Sequence, residues 1–152
     1  MTMRLHSELR TERTRAGVVI GQDFEGWPDE VRSDFVRNAF NFEVGQRILS
    51  ETAELRVWEI RLEPGCRLGA HRHVLDYFWT AVTAGKSRQH EDDGTTREVH
   101  YVPGDTRHFK FGPGDYLLHD LENIGDSQLM FVTVEHKTNP QQVQLQTEMA
   151  GT

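Results

Sequence analysis

The sequence predicts an all-β fold, a barrel or sandwich of short strands preceded by one short helix. Three observations carry this expectation. Beyond Asn41 apolar and polar residues alternate with a period of two, the pattern of strands with one buried face. Gly, Pro and Asp turn signals break these runs at intervals of about 8–12 residues. Only one stretch has helical spacing instead.

Gly17-Val18-Val19-Ile20-Gly21 is a β-branched run between glycines and reads as an edge strand. Pro28-Asp29-Glu30 then opens a segment with Val31, Phe35, Val36, Ala39 and Phe40 at spacings of one to four. Proline and acids suit a helix N-terminus, so a helix is expected over 28–39. Phe42-Glu43-Val44 and Arg47-Ile48-Leu49 are candidate strands, and Arg56 to Leu62 alternates cleanly, with Trp58, Ile60 and Leu62 on one face. Glu63-Pro64-Gly65 makes a turn. Tyr77 to Thr83 is an aromatic and β-branched strand, and Asp92-Asp93-Gly94 marks a hairpin. Arg97–Val102, Thr106–Phe111 and Gln128–Val134 complete the strands. The expected core is Trp58, Ile60, Leu62, Phe78, Val82, Leu117, Leu129, Phe131 and Val134.

The chain has 152 residues, 17 Lys and Arg against 24 Asp and Glu, and a formal charge of −7. That length fits one domain: a barrel over 55–136, an N-terminal extension over 1–54 and a polar tail over 137–152. The acidic balance argues against nucleic acid, whose binding is driven by clustered positive charge, and against an anionic membrane surface. Cys66 is the single cysteine, so no intrachain disulfide can form. No apolar run approaches a membrane span and the first residues lack a signal-peptide core. A cytoplasmic protein is expected.

Eight histidines in an acidic chain are the chemistry to place. His71 and His73 are two residues apart, which on a strand puts both on one face. Two imidazoles can share a metal ion, and a third ligand must come from another strand. His119 is the leading candidate and His108 the competitor, because Thr106, His108 and Lys110 share a face. His90 lies among Glu91, Asp92 and Asp93 and is expected to be solvated; His100 is expected to face outward. Arg67 and Arg72 are candidates for gripping a substrate carboxylate, with Arg72 discounted because it points away from the histidines. Glu59 and Arg61 line the pocket or face solvent. Asn123 is expected to brace the loop that follows it, and Cys66 to be a small buried residue.

Gly65-x5-His71-x-His73, with Gly85 closing the next strand, resembles the first motif of the cupin superfamily. His119-x3-Asn123 resembles the second, and Ile124-Gly125-Asp126 before an apolar strand continues it. His71-Arg72-His73-x2-Asp76-Tyr77 is also similar to small bacterial cupins of the β-alanine-degradation type. The resemblance implies a cupin-like jelly-roll β-barrel with a metal-binding interior, and a homodimer. The extension before Arg56 would then add strands or a helix at a two-fold interface.

Two departures stand out. The family's first motif carries a glutamate four or five positions after its second histidine, where this chain has Tyr77 and Phe78. Asp76 sits one position early and would need a bulge to turn inward. The second motif has a longer loop, Pro113-Gly114-x4-His119. The resulting reading is a site of three neutral imidazoles holding a divalent transition metal: iron, zinc, nickel or manganese. Tyr77, if inward, is either a proton donor to a substrate or a core aromatic. The expected function is a metal-binding cupin acting on a small organic acid or related metabolite, as a dioxygenase or an isomerase. The alternative is a cupin that binds or senses a small molecule without turning it over.

Overall fold

The computed structural model describes residues 16–137. Its strands are β1 (Val18–Gly21), β2 (Arg47–Glu51), β3 (Leu55–Leu62), β4 (Arg67–His73), β5 (Tyr77–Ala81), β6 (Gly85–His90), β7 (Thr96–Tyr101), β8 (Thr106–Phe109), β9 (Leu117–Asn123) and β10 (Leu129–His136). One helix, α1 (Asp29–Arg37), lies between β1 and β2. The strands form two antiparallel sheets of five, ordered β1-β7-β6-β9-β4 and β2-β3-β10-β5-β8. Two sheets face to face are the jelly-roll arrangement the sequence led us to expect. The N-terminal extension supplies an edge strand to each sheet and the helix outside them. The expected polar tail over 137–152 lies, beyond Lys137, outside the described residues.

The alternation in β3 holds: Trp58, Ile60 and Leu62 are buried and Arg61 is exposed. In β10 Leu129, Phe131, Thr133 and Glu135 turn inward, and the core joins Ile60, Leu62, Ala81, Val99, Tyr101, Leu121, Leu129 and Phe131 from both sheets. Val134 is buried on the other face of β10, opposite Val57 and Phe78. Helix α1 begins after Pro28, carries Asp29 and Glu30 in its first turn, and ends at Asn38, whose N–H donates to the Asp34 carbonyl. Its buried Val31 and Phe35 pack with Trp27 on Ala70 of β4 and Leu118 of β9. The helix therefore covers the outer face of the first sheet, behind the strands that carry the histidines.

Several expectations fail for identifiable reasons. Phe78 is only half-buried and Val82 is exposed, so neither belongs to the core. The register on β10 sets Tyr77 opposite Glu135 and Trp79 opposite Thr133, which turns the odd-numbered residues of β5 inward. Aromatics occupy both faces of β5, so alternation alone could not choose between them. Phe42 and Val44 are buried but lie in a loop, and the strand starts at Arg47. Val36 and Phe40 are exposed, because the helix buries a narrow stripe only. The glycine at Gly65 is required by its φ of +82° in the turn before β4. Gly85 is required by packing: a Cβ there would stand 2.6 Å from Leu129 Cδ1.

Candidate metal centre

His71 and His73 lie on β4 and His119 lies on β9, directly opposite His71. A bulge makes this possible. Leu68 pairs with Leu121 and His71 with His119, so Gly69 and Ala70 together stand opposite Asp120 alone. Leu68 packs inward against the core, while Ala70 faces the helix. On a regular strand an inward Leu68 would turn His71 and His73 outward; the extra residue reverses their phase.

The three imidazoles meet inside the barrel. One ring nitrogen of each lies within 4.8 Å of the others, and His73 Nε2 is 3.2 Å from His119 Nε2. Two nitrogens each about 2.1 Å from one ion at tetrahedral or right angles lie roughly 3.0–3.5 Å apart, so the spacing suits a shared cation. His71 Nδ1 donates to the Gly69 carbonyl at 2.9 Å, and a carbonyl can only accept, so Nε2 of His71 carries the lone pair. His119 Nδ1 donates to Gln89 Oε1 at 3.1 Å, which likewise puts the lone pair on Nε2, the atom that faces His73. His73 is oriented by stacking: Tyr77 lies parallel over it at 3.9 Å, and Phe109 lies over Tyr77 at 4.7 Å. His73 Nδ1 is buried with no hydrogen-bond partner among the described residues, whichever nitrogen of the ring holds the proton.

Burial disfavours protonation here. It lowers the pKa of His71, and burial followed by His71 and His119 pushes His73 well below the usual histidine range. Neutral imidazole is the ligating form, so these two rings need lose no proton to bind a cation. The donor set therefore fits a transition-metal ion.

The histidines open on a cavity of about 40 Å³, lined by Val44 and Ile60, by Tyr77 and Trp79, by Gln89, Tyr101 and Leu121, and by Phe131 and Thr133. At about 10–15 Å³ per water this is room for roughly three or four water-sized groups. Among the described residues no carboxylate, lysine or arginine lines it. Gln89 Nε2 donates to the Tyr101 hydroxyl, which also bonds Ser87 Oγ at 2.8 Å. Burial raises the Tyr101 phenol to about 12, so it stays protonated.

The other candidates fall elsewhere. His108 is exposed on β8, tilted against Phe78, and takes no part in the cluster. Asp76 does not turn inward; its Oδ1 accepts the Phe111 N–H at 2.8 Å. Arg67 is removed from any substrate by ion pairs with Asp34 and Asp120 outside the sheet. Arg72 donates to the Ala39 carbonyl and lies over the Tyr116 ring. Glu59 and Arg61 pair with each other on the outer face of β3. His90 is not solvated: it is buried, bonded through Nδ1 to Asp120 Oδ2 at 2.8 Å and set edge-on to Trp27. Cys66 is exposed rather than buried. Asn123 does brace its loop, donating to the Leu62 and Ser127 carbonyls and accepting from the Gly125 N–H. Among functional residues, sequence reasoning missed Gln89, Asp34 and Asp120. Gln89 had one available signal, its place on the inner face of the strand preceding the Asp92-Asp93-Gly94 hairpin.

Among the described residues no helix is long and apolar enough to cross a membrane. No protein-family model matches the chain. Oxalate decarboxylase of Bacillus subtilis is 29% identical over 102 residues, which are 66% of this chain but only 24% of that enzyme. The chain thus spans about a quarter of that relative's length. A cupin domain from Bordetella pertussis superposes with a TM-score of 0.54 at 25% identity, over 60% of this chain and 91% of that one. A conserved Klebsiella pneumoniae protein with a double-stranded β-helix domain gives 0.50 at 25% identity, over 62% and 76%. Two facing sheets, an inward histidine trio on neighbouring strands and these likenesses agree: the chain is a member of the cupin superfamily.

Proposed function

We propose that this protein is a metal-dependent cupin acting on a small organic acid or related metabolite, with His71, His73 and His119 holding iron, zinc, nickel or manganese. The observation that carries the reading is the approach of the His73 and His119 Nε2 atoms to 3.2 Å beside His71, in a cavity where no ionised side chain lines the wall among the described residues. A divalent ion on three neutral ligands keeps its full charge, acts as a Lewis acid and leaves positions for substrate or oxygen.

The chain's own residues then have separable tasks. The Gly69 carbonyl and Gln89 fix the tautomers of His71 and His119. The stacked Tyr77 and Phe109 hold His73 in place. Val44, Ile60, Trp79 and Phe131 exclude water. Among the described residues no Arg or Lys lines the cavity, so the bound ion is assigned to meet the charge of an acid. Tyr77 is assigned to donate its hydroxyl proton or a hydrogen bond to a substrate oxygen. The likeness to oxalate decarboxylase supports a small acid as the ligand class. Oxidative cleavage by a dioxygenase is the finer reading, with isomerisation as the other chemistry such a site serves.

Elemental analysis of protein purified without chelator tests the ligand assignment. Bound metal in the native chain and its loss in His71→Ala are expected; equal metal in both would end the assignment. That no carboxylate lines the cavity among the described residues favours a second reading, a cupin that binds or senses its ligand. Oxygen uptake across a panel of small acids separates the two, since turnover excludes pure binding. Pairing of two copies and a cytoplasmic location belong to this proposal as well. Exposed Val18 and Ile20 on β1 and Ile48 and Leu49 on β2 support pairing, and a monomer in sedimentation would remove it.

A further inference from the structure

The outer face of the two histidine-bearing strands holds a buried polar cluster, behind the sheet and apart from the cavity lining. Asp34 on α1 accepts the Ala70 N–H at 2.8 Å and the Arg67 guanidinium at 2.8 Å through the same Oδ2. Arg67 Nε donates at 2.7 Å to Asp120, and Asp120 also accepts from the His90 backbone N–H. Gly69 is the close neighbour: a Cβ there would stand 3.3 Å from Asp34 Oδ2.

Ala70 and Gly69 are the two residues of the β4 bulge. A bulged residue loses its ladder partner, so its N–H must find another acceptor. Asp34 is that acceptor. With Ala70 held outward, the Gly69 carbonyl is left within the strand's own reach of His71, and it takes the Nδ1 proton. Burial works against a charged Asp34, yet the Ala70 N–H, Asn38 and Arg67 hold its carboxyl below the usual range. A stable anion is therefore pinned on the bulge.

We propose that Asp34 is a positioning residue for His71: by fixing the β4 bulge it turns the His71-Arg72-His73 segment into phase with the cavity and holds His71 in the tautomer whose Nε2 is free to ligate. The metal part of this inference rests on the reading under Proposed function; the tautomer part does not. Arg67 and Asp120 extend the same clamp to β9, so that the two strands carrying the three imidazoles share one anchor behind the sheet.

The experiment reads the full chain twice. Imidazole ¹⁵N shifts of His71 in metal-free protein report which nitrogen holds the proton, and titration with Co²⁺ alone reports affinity. In Asp34→Ala the Nδ1-protonated pattern of His71 is expected to give way to a mixture, and Co²⁺ affinity to fall about 10–100-fold. Asp34→Asn keeps an acceptor for the Ala70 N–H, so it is expected to restore the His71 pattern and most of the affinity. Arg32→Ala loosens the same helix by deleting the bond to the Phe24 carbonyl while leaving the Asp34–Ala70 bond in place, and is expected to leave both readouts unchanged. Native His71 shifts in Asp34→Ala would overturn the proposal, as would Arg32→Ala reproducing its effect. If the unaltered chain takes up no Co²⁺, the metal reading fails by itself, and the His71 shifts still decide the role of Asp34.

Discussion

Asp120 and Glu135 are both completely buried carboxylates, and the fold receives them in opposite ways. Asp120, on the outer face of β9, accepts from Arg67, the His90 ring and the His90 backbone, so both oxygens are used. Glu135, on the inner face of β10, accepts from Trp58 Nε1 at 2.7 Å and Arg56 at 3.4 Å through Oε1 alone, and its Oε2 has no partner among the described residues. Burial accordingly raises the Glu135 pKa, with Trp58 and Arg56 opposing. A buried charge is sound where every lone pair is met, and costly where one is left over. The difference also divides the molecule: the sheet with the histidines is anchored by saturated ion pairs, and the facing sheet holds an unsaturated acid in the barrel wall.

The largest effect is expected from breaking the saturated side. Arg67→Met leaves Asp34 and Asp120 facing each other without their shared cation, and should cost about 3–5 kcal/mol in chemical denaturation. A loss under 1 kcal/mol would show that the clamp carries little. Gly85→Ala tests the packing shared by the sheets, since its methyl meets Leu129 Cδ1; about 1–3 kcal/mol of destabilisation is expected.

Glu135→Gln probes the unsaturated side and should cost less than about 1 kcal/mol at neutral pH, because it removes a desolvation penalty along with an ion pair. Its pH signature has a definite sign. The folded pKa lies above 4.5, so the folded chain takes up this proton while the unfolded chain is still ionised. Lowering the pH through that interval favours folding, and raising it opposes folding. Subtracting the Glu135→Gln stability profile from that of the native chain should show this slope, and a flat difference would place the acid in a water-like setting. His71 and His73 act the other way. Their folded pKa values lie below 6.5, so stability falls as pH drops beneath the unfolded value. The smallest effect belongs to Arg47→Ala: Arg47 is largely exposed in its pair with Glu59, and a denaturation midpoint matching that of the native chain is expected.

Much of this architecture was legible from residue order. Strand alternation in β3, the turn at Gly65 and the nearness of His71 to His73 come through because each rests on local periodicity or spacing, whereas Val134, expected beside Leu129 and Phe131, lies on the other face of β10, and His119 meets His71 only through the pairing of β9 with β4. The failures share one cause. Whether Tyr77 or Phe78 faces inward depends on pairing with β10, which no property of β5 reveals. The bulge at Gly69 and Ala70 is likewise set by a helix more than thirty residues upstream. His90 looked solvated because its sequence neighbours are acidic, whereas its partner, Asp120, is distant in the chain and adjacent in the sheet.

The split between the sheets has an evolutionary reading. The three imidazoles come from β4 and β9 and the carboxylate behind the bulge from α1, while Ile60, Trp79, Phe131 and Thr133 of the cavity come from the opposite sheet. Substitutions that reshape the ligand's surroundings can therefore accumulate on one wall while the donors on the other stay in register. A barrel so divided can drift toward new ligands one side chain at a time, keeping throughout the three nitrogens that make it chemically useful.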